Sequence, residues 1–131
     1  MGLDNSIEIR RNEKSMSIYN KLKRFEDDWD KEHKYDFEVL YYRKCYNVRN
    51  LILRCLGAGE EDYEIPVKRE DIPNIIAALK SLNKKNWEDC GSSIWDWEDQ
   101  EPYIKRHIKN LKYLYKLMGK HDLDVYFYDS Y

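Results

Sequence analysis

Little in this chain supports a covalent or metal framework. Its 131 residues include only three cysteines, Cys45, Cys55 and Cys90. An odd number without a CxxC pair does not make a disulfide scaffold, and no two Cys or His residues fall at zinc-ligand spacing. Glycines number five and prolines three. That excludes collagen-like and low-complexity classes, and there is no glycine-rich phosphate loop of either familiar kind. No apolar run approaches the roughly 20 residues that cross a bilayer. Residues 1–8 lack the apolar centre of a secretory signal, so the expected location is the cytoplasm and no membrane partner is expected. Charge of one sign is missing too: 23 Lys and Arg face 25 Asp and Glu, a net charge of -2. Nothing global draws such a chain to nucleic acid.

What is present is a patterned, aromatic-rich chain of ordinary single-domain size, read as one domain over 1–131, with 12 tyrosines and four tryptophans. Ile7 and Ile9 alternate with Glu8 and Arg10, a strand with one wet face. Ser15 is placed to cap a helix whose apolar stripe is Ile18, Leu22, Phe25 and Trp29. A second strand is expected over 37–42. A helix follows it with Cys45, Val48, Ile52 and Cys55 on one face, ending at Gly57. Residues 63–67 read as a short strand that Pro66 confines to an edge or end. Asp71 and Pro73 open the clearest amphipathic helix, with Ile72, Ile75, Ile76, Leu79 and Leu82 inward. Residues 86–101 show no period and read as an ordered, irregular acidic loop. The last helix is expected from about Pro102 to Met118, and an aromatic strand closes the chain. The fold class is therefore α+β: a small antiparallel or mixed sheet, three to four helices mainly on one face, and terminal strands able to pair.

Three constellations carry chemical interest. Tyr41 to Asn50 gathers tyrosines, three cations and amides at a strand-to-helix junction, and a helix N-terminus beside Arg and Lys suits an anion. Arg43 and Arg49 are equally able to pair with the many carboxylates. Residues 87–99 combine acids with Trp87, Trp95 and Trp97. The acids match no calcium-loop spacing, so no metal is expected, and the tryptophans are either filling for a small core or candidate anchors for a protein partner. The last helix presents Lys105, Lys109, Lys112, Lys116 and Lys120 along one face, a solvated stripe or a phosphate-contacting one. No catalytic residue and no cofactor is expected: Cys45 and Cys55 fall on an apolar stripe, and Cys90 has no histidine neighbour in sequence.

Met1-Gly2-Leu3-Asp4, the Tyr-Tyr-Arg-Lys block from 41 to its Arg49, Val67 to Ile72 and the terminal Tyr-Asp-Ser-Tyr together resemble a family of small phage and bacterial proteins without an established activity. Its members open with MGLD, carry a YWRKAN-like block before a helix, and end in an aromatic tail. This chain departs at Tyr42, at Cys45-Tyr46 and in a shorter N-terminal half. The resemblance implies an accessory protein of phages or mobile elements, a context that favours small binding proteins or inhibitors of host systems. It also suggests that the two termini and the Arg-Lys junction meet, so that Asp4, Asn5, Arg43, Lys44, Asp129 and Ser130 form one polar cluster, which either locks the sheet ends by salt bridges and hydrogen bonds or, with Tyr42 and Asn47 of the junction, binds an anion.

The leading expectation is thus a non-enzymatic binding or inhibitor protein acting on a host protein or a small anionic ligand. The alternatives are a nucleotide- or phosphate-handling enzyme using Arg43 and Lys44, and a nucleic-acid binder using the basic face of the last helix. The sequence does not give the oligomeric state.

Overall fold

The first and last strands lie side by side. In a computed structural model that describes residues 4–59, 63–90 and 96–130, β1 (Asp4–Ile9) pairs antiparallel with β4 (Val125–Ser130), Ile7 opposite Phe127 and Ile9 opposite Val125. Strand β2 (Phe37–Arg43) flanks β1 and β3 (Glu64–Pro66) flanks β4, giving one antiparallel sheet in the order β2-β1-β4-β3. Pro66 therefore sits on an edge strand, where its missing N–H costs no ladder bond.

The period of two sorts the side chains. Asn5, Ile7 and Ile9 point inward beside Phe37, Leu40, Tyr42, Ile65, Val125 and Phe127, all buried. Glu8, Glu38, Tyr41, Tyr126 and Tyr128 take the other face. One irregularity falls in β2: Leu40 opposes Ile7 and Glu38 opposes Glu8, so Val39 is an extra residue. The Val39 carbonyl accepts a hydrogen bond from Asn110 Nδ2 at 3.0 Å, so the last helix covers this stretch of sheet edge.

Helices α4 (Tyr46–Leu56), α5 (Ile72–Lys80) and α7 (Trp97–Met118) bury Ile52, Ile75, Leu79, Leu111 and Leu114 in the core shared with the inner face of the sheet. Each such side chain contributes about 1.5–3 kcal/mol by leaving water. Gly57 ends α4 in the left-handed region at φ 63, the Ala58 N–H reaching back to the Leu53 carbonyl.

Two sequence expectations change. The long helix with Trp29 in its stripe is instead broken into α1 (Glu13–Met16), α2 (Tyr19–Leu22), a 3₁₀ turn over Lys23–Phe25, and α3 (Asp28–His33). The cause is local capping. Asn12 rather than Ser15 caps α1, with Ser15 answering as its partner, and Asp27 and Asp30 form a second capping box that restarts the chain after extended Glu26. The irregular loop over 86–101 is in part helical: α6 (Lys84–Cys90) begins where Asn83 and Asn86 exchange side-chain-to-backbone bonds of 2.8 and 3.0 Å, and α7 starts at Trp97. The described residues thus hold seven α-helical segments rather than three to four. No helix among them is long and apolar enough to cross a membrane.

Glu8 and Glu38 stand opposite each other on the outer face, like charges side by side. Burial first, then Glu8, Asp30 and Asp27, pushes the Glu38 carboxyl up to about 7. Ionising an acid raised in this way opposes folding, so the penalty is absent below about pH 4.5 and complete above about pH 7. Glu38→Gln is expected to stabilise the protein at pH 8 by about 1 kcal/mol, the figure being small because the side chain keeps contact with screening water. Urea denaturation at pH 8 and pH 4 checks this. An equal gain at both values would place the effect elsewhere.

Candidate functional site

The polar cluster expected where the termini meet is divided by the sheet into separate neighbourhoods. On the inner face, Arg49 of α4 reaches across β1 to Asp129 of β4. Its Nε lies 2.9 Å from both carboxylate oxygens and its Nη2 2.8 Å from Oδ2. Asn5 Nδ2 donates to Asp129 Oδ1 at 2.5 Å, and both Arg49 and Asp129 are only 2 % exposed. Inward-facing Asn5 and Asp129 are Cα partners across β1 and β4, so this set is an internal clamp between helix and sheet. Solvent anions do not reach it. Arg49 was legible only as one more cation of the junction, because its role depends on a carboxylate 80 residues away.

The remaining members scatter. Asp4 accepts from the Tyr41 hydroxyl at 2.7 Å, and burial, then Asp4, pushes that phenol up to about 12. Asn47 is buried in the first turn of α4, where its Oδ1 accepts from the Val48 N–H, while its Nδ2 meets no partner among the described residues. Arg43 lies exposed at the end of β2, and Lys44 takes the left-handed conformation at φ 53 that turns the strand into α4. Ser130 is placed only as the backbone end of β4.

Tyr42 faces inward beside α7. Its ring packs edge-on to His107 at 4.8 Å, and His107 packs edge-on to Tyr103 at 4.7 Å. Among the described residues the buried Tyr42 hydroxyl has no hydrogen-bond partner, and burial above all holds the phenol protonated. Burial, and then Arg106, lowers the His107 imidazole to about 4. A hollow of about 240 Å³ opens here between Tyr41, Tyr42, Arg43, Cys45, Gln100 and Tyr103. It is smaller than an ordinary ligand pocket of about 300–1,000 Å³.

The larger concavity lies on the opposite flank of α7. Two hollows of about 600 and 560 Å³ run between α5 and α7, both walled by Lys80 and Lys112. Leu79, Ile104, Ile108 and Trp97 line the first, and Ile76, Ala77 and Tyr115 the second. Their lining also includes Lys105, Lys109 and Lys116, so most of the basic stripe of the last helix borders an apolar trough. Lys105 is matched by Glu101 at 2.9 Å. Among the described residues, Lys80, Lys109, Lys112 and Lys116 have no carboxylate partner. Lys80 stands close enough to Lys112 to hold its ammonium below the ordinary value. This trough can take an apolar surface edged with negative charge.

The tryptophans expected to anchor a partner fall differently. Trp87 is 3 % exposed and belongs to the core, its ring 5.8 Å from Trp97, which is half-buried and lines the trough. Trp87 is therefore corrected from partner anchor to packing residue. Trp95 lies outside the described residues, as does the Cys90 side chain. Among the described residues, the exposed tryptophan is Trp29, 61 % accessible on the acidic helix α3. Its ring lies 3.9 Å from His33, which stacks on Tyr35 at 5.5 Å. Among the described residues, no group of His, Cys, Asp and Glu is placed to hold a metal. No family model, curated protein or solved structure matches the chain.

Proposed function

We propose that this is a non-enzymatic binding protein that captures an acidic, amphipathic segment of a protein partner in the trough between α5 and α7. The observation that carries this reading is the pairing of an apolar floor with lysines that, among the described residues, have no carboxylate partner, Lys80 and Lys112 standing side by side where the two hollows adjoin. An amphipathic helix laid in such a groove buries its apolar residues at i, i+3, i+4 and i+7 and sets its carboxylates against those lysines. The resemblance to small phage and bacterial proteins supports the same reading, as an accessory protein acting on a host protein. An enzyme built on Arg43 and Lys44 finds less support, because Asp129 is committed to Arg49 and Asp4 to Tyr41.

The test is titration with a synthetic helical peptide carrying Leu at those spacings and Glu elsewhere, followed by calorimetry. Saturable binding is expected, weakened about tenfold or more by Lys80→Glu with Lys112→Glu, and weakened again at about 1 M salt. A peptide with Asn in place of Leu is expected not to bind. Equal binding by the double variant would sink the proposal. Preferential binding of duplex DNA, with a salt slope of about −0.9 for each phosphate neutralised, would replace it with the nucleic-acid reading.

A further inference from the structure

The molecule carries, on another face, a surface of the kind its own trough accepts. Helix α3 is short, capped by Asp27 and Asp30, and closed by Lys34 in the left-handed region at φ 57. It presents Trp29 to solvent in a column with His33 and Tyr35, and Asp28 and Glu32 on the same helix are exposed. An indole this open on a helix edged with carboxylates is unusual for a side chain that ordinarily seeks burial. The trough is its complement in both shape class and charge. Its apolar walls are Leu79, Ile104 and Ile108, and Lys80, Lys112 and Lys116 stand around them.

The two surfaces do not meet within one molecule. The segment leading to α3 leans on α7: Phe25 packs on Tyr113 at 5.9 Å, and the Tyr113 hydroxyl donates to the Lys21 carbonyl. No residue of α3 lines either hollow. Ridge and trough are therefore separate surfaces.

We infer that a second copy of this chain docks its Trp29 ridge into the α5–α7 trough, giving a head-to-tail assembly. The inference rests on the reading of the trough as a groove for acidic amphipathic segments, and names one such segment. Trp29 fills the apolar hollow. Asp28 and Glu32 meet Lys80 and Lys112, relieving the repulsion between the two ammonium groups. Because the contact joins unlike faces, it propagates into a chain or closes into a ring, and it does not stop at a two-fold dimer. One indole and a short helix make a small interface, so association is weak and concentration-dependent, in the micromolar to millimolar range of about −8 to −4 kcal/mol. A partner segment with a longer apolar face competes for the same trough and disperses the assembly.

Sedimentation velocity from about 10 μM to about 1 mM reads this directly. The wild-type chain is expected to grow beyond a dimer with concentration and to return to monomer at about 1 M salt. Trp29→Ala, lacking the ridge, and Lys80→Glu with Lys112→Glu, lacking the trough, are each expected to remain monomeric, with unchanged circular dichroism. Mixed in equal amounts they restore a single working contact, intact ridge against intact trough, and the mixture is expected to stop at a dimer. A wild-type chain that stays monomeric throughout overturns the inference. So does a Trp29→Ala variant that assembles like wild type, or a mixture that gives no dimer. The peptide titration separates the two failures: if the chain binds the Leu/Glu peptide yet never self-associates, only the second copy is lost, and if neither occurs the trough itself is not a binding groove.

Discussion

Arg49→Ala is expected to lower the free energy of unfolding by about 3–5 kcal/mol, the cost of leaving a buried carboxylate without its counter-charge. Asp129 is 2 % exposed and takes its charge-assisted hydrogen bonds from Arg49, with Asn5 supplying one neutral bond. Removing the guanidinium leaves a buried anion with one amide donor. Against a total stability of about 5–15 kcal/mol for an ordinary domain, that is a large fraction. The pair need not be favourable overall, because taking both charges from water costs nearly what their attraction returns. The double variant Arg49→Met with Asp129→Leu is therefore expected to be less damaging than the sum of its two single changes, with a coupling energy of about 2 kcal/mol or more. Arg43→Ala, at an exposed end of β2, is expected to cost far less. Urea denaturation of Arg49→Ala, Arg43→Ala, the double variant and its two single changes decides it. A loss of under about 1 kcal/mol for Arg49→Ala would mean that the clamp does not hold α4 to the sheet.

His107 sets the second large expectation, which concerns acid. Its imidazole is 5 % exposed, lies between the rings of Tyr42 and Tyr103, and has no hydrogen-bond partner at Nδ1 among the described residues. Burial favours the neutral form and lowers the value to about 4, and neighbouring Arg106 adds to the effect. The unfolded chain, with an ordinary value near 6.5, takes up a proton first as pH falls. Stability from this group is thus full above about pH 6.5 and is lost progressively down to about pH 4, by about 3 kcal/mol in all. Over part of the same range Glu38 acts in the opposite sense, since its raised carboxyl gains from protonation. The comparison that isolates His107 is therefore wild type against His107→Phe, measured by denaturation at pH 7 and pH 4. The gap between them is expected to shift by about 3 kcal/mol in favour of the variant at the lower pH. A gap that does not change with pH would show that the imidazole reaches water in the folded state.

Both effects arise where the sequence was readable in kind but not in partner. Alternation in Ile7 and Ile9, the β-branched and aromatic C-terminus, Pro66 on a short strand and Gly57 after an apolar stripe are local signals. Each element they name appears, and the α+β class with paired terminal strands follows from them. Local patterning is legible because a strand's period of two or a glycine's freedom at positive φ acts within a few residues. Where two local signals competed, the shorter-range one won. The stripe from Ile18 to Trp29 fits a single helix, but the Asn12 and Asp27 capping boxes fix the chain more tightly than that stripe does, and Trp29 turns out to water. Asn83 and Asn86 looked like the end of one helix and prove to be the start of another.

The candidate sites depended on contacts that no window of sequence contains. Asp129 could have served any of several cations, and only the sheet order placed it beneath Arg49 and beside Asn5 rather than near Arg43 and Lys44. The lysine period of the last helix was visible, but the trough it borders exists only because α5 packs alongside. Trp87 and Trp29 carry the same side chain among similar acids, yet one is core and the other solvent. Composition and periodicity determined which elements form and which face of each is apolar, because those follow from backbone geometry and the hydrophobic effect acting locally. Tertiary packing alone decided which charges are matched and which apolar surface is left open, because both depend on what the rest of the chain brings within a few ångströms.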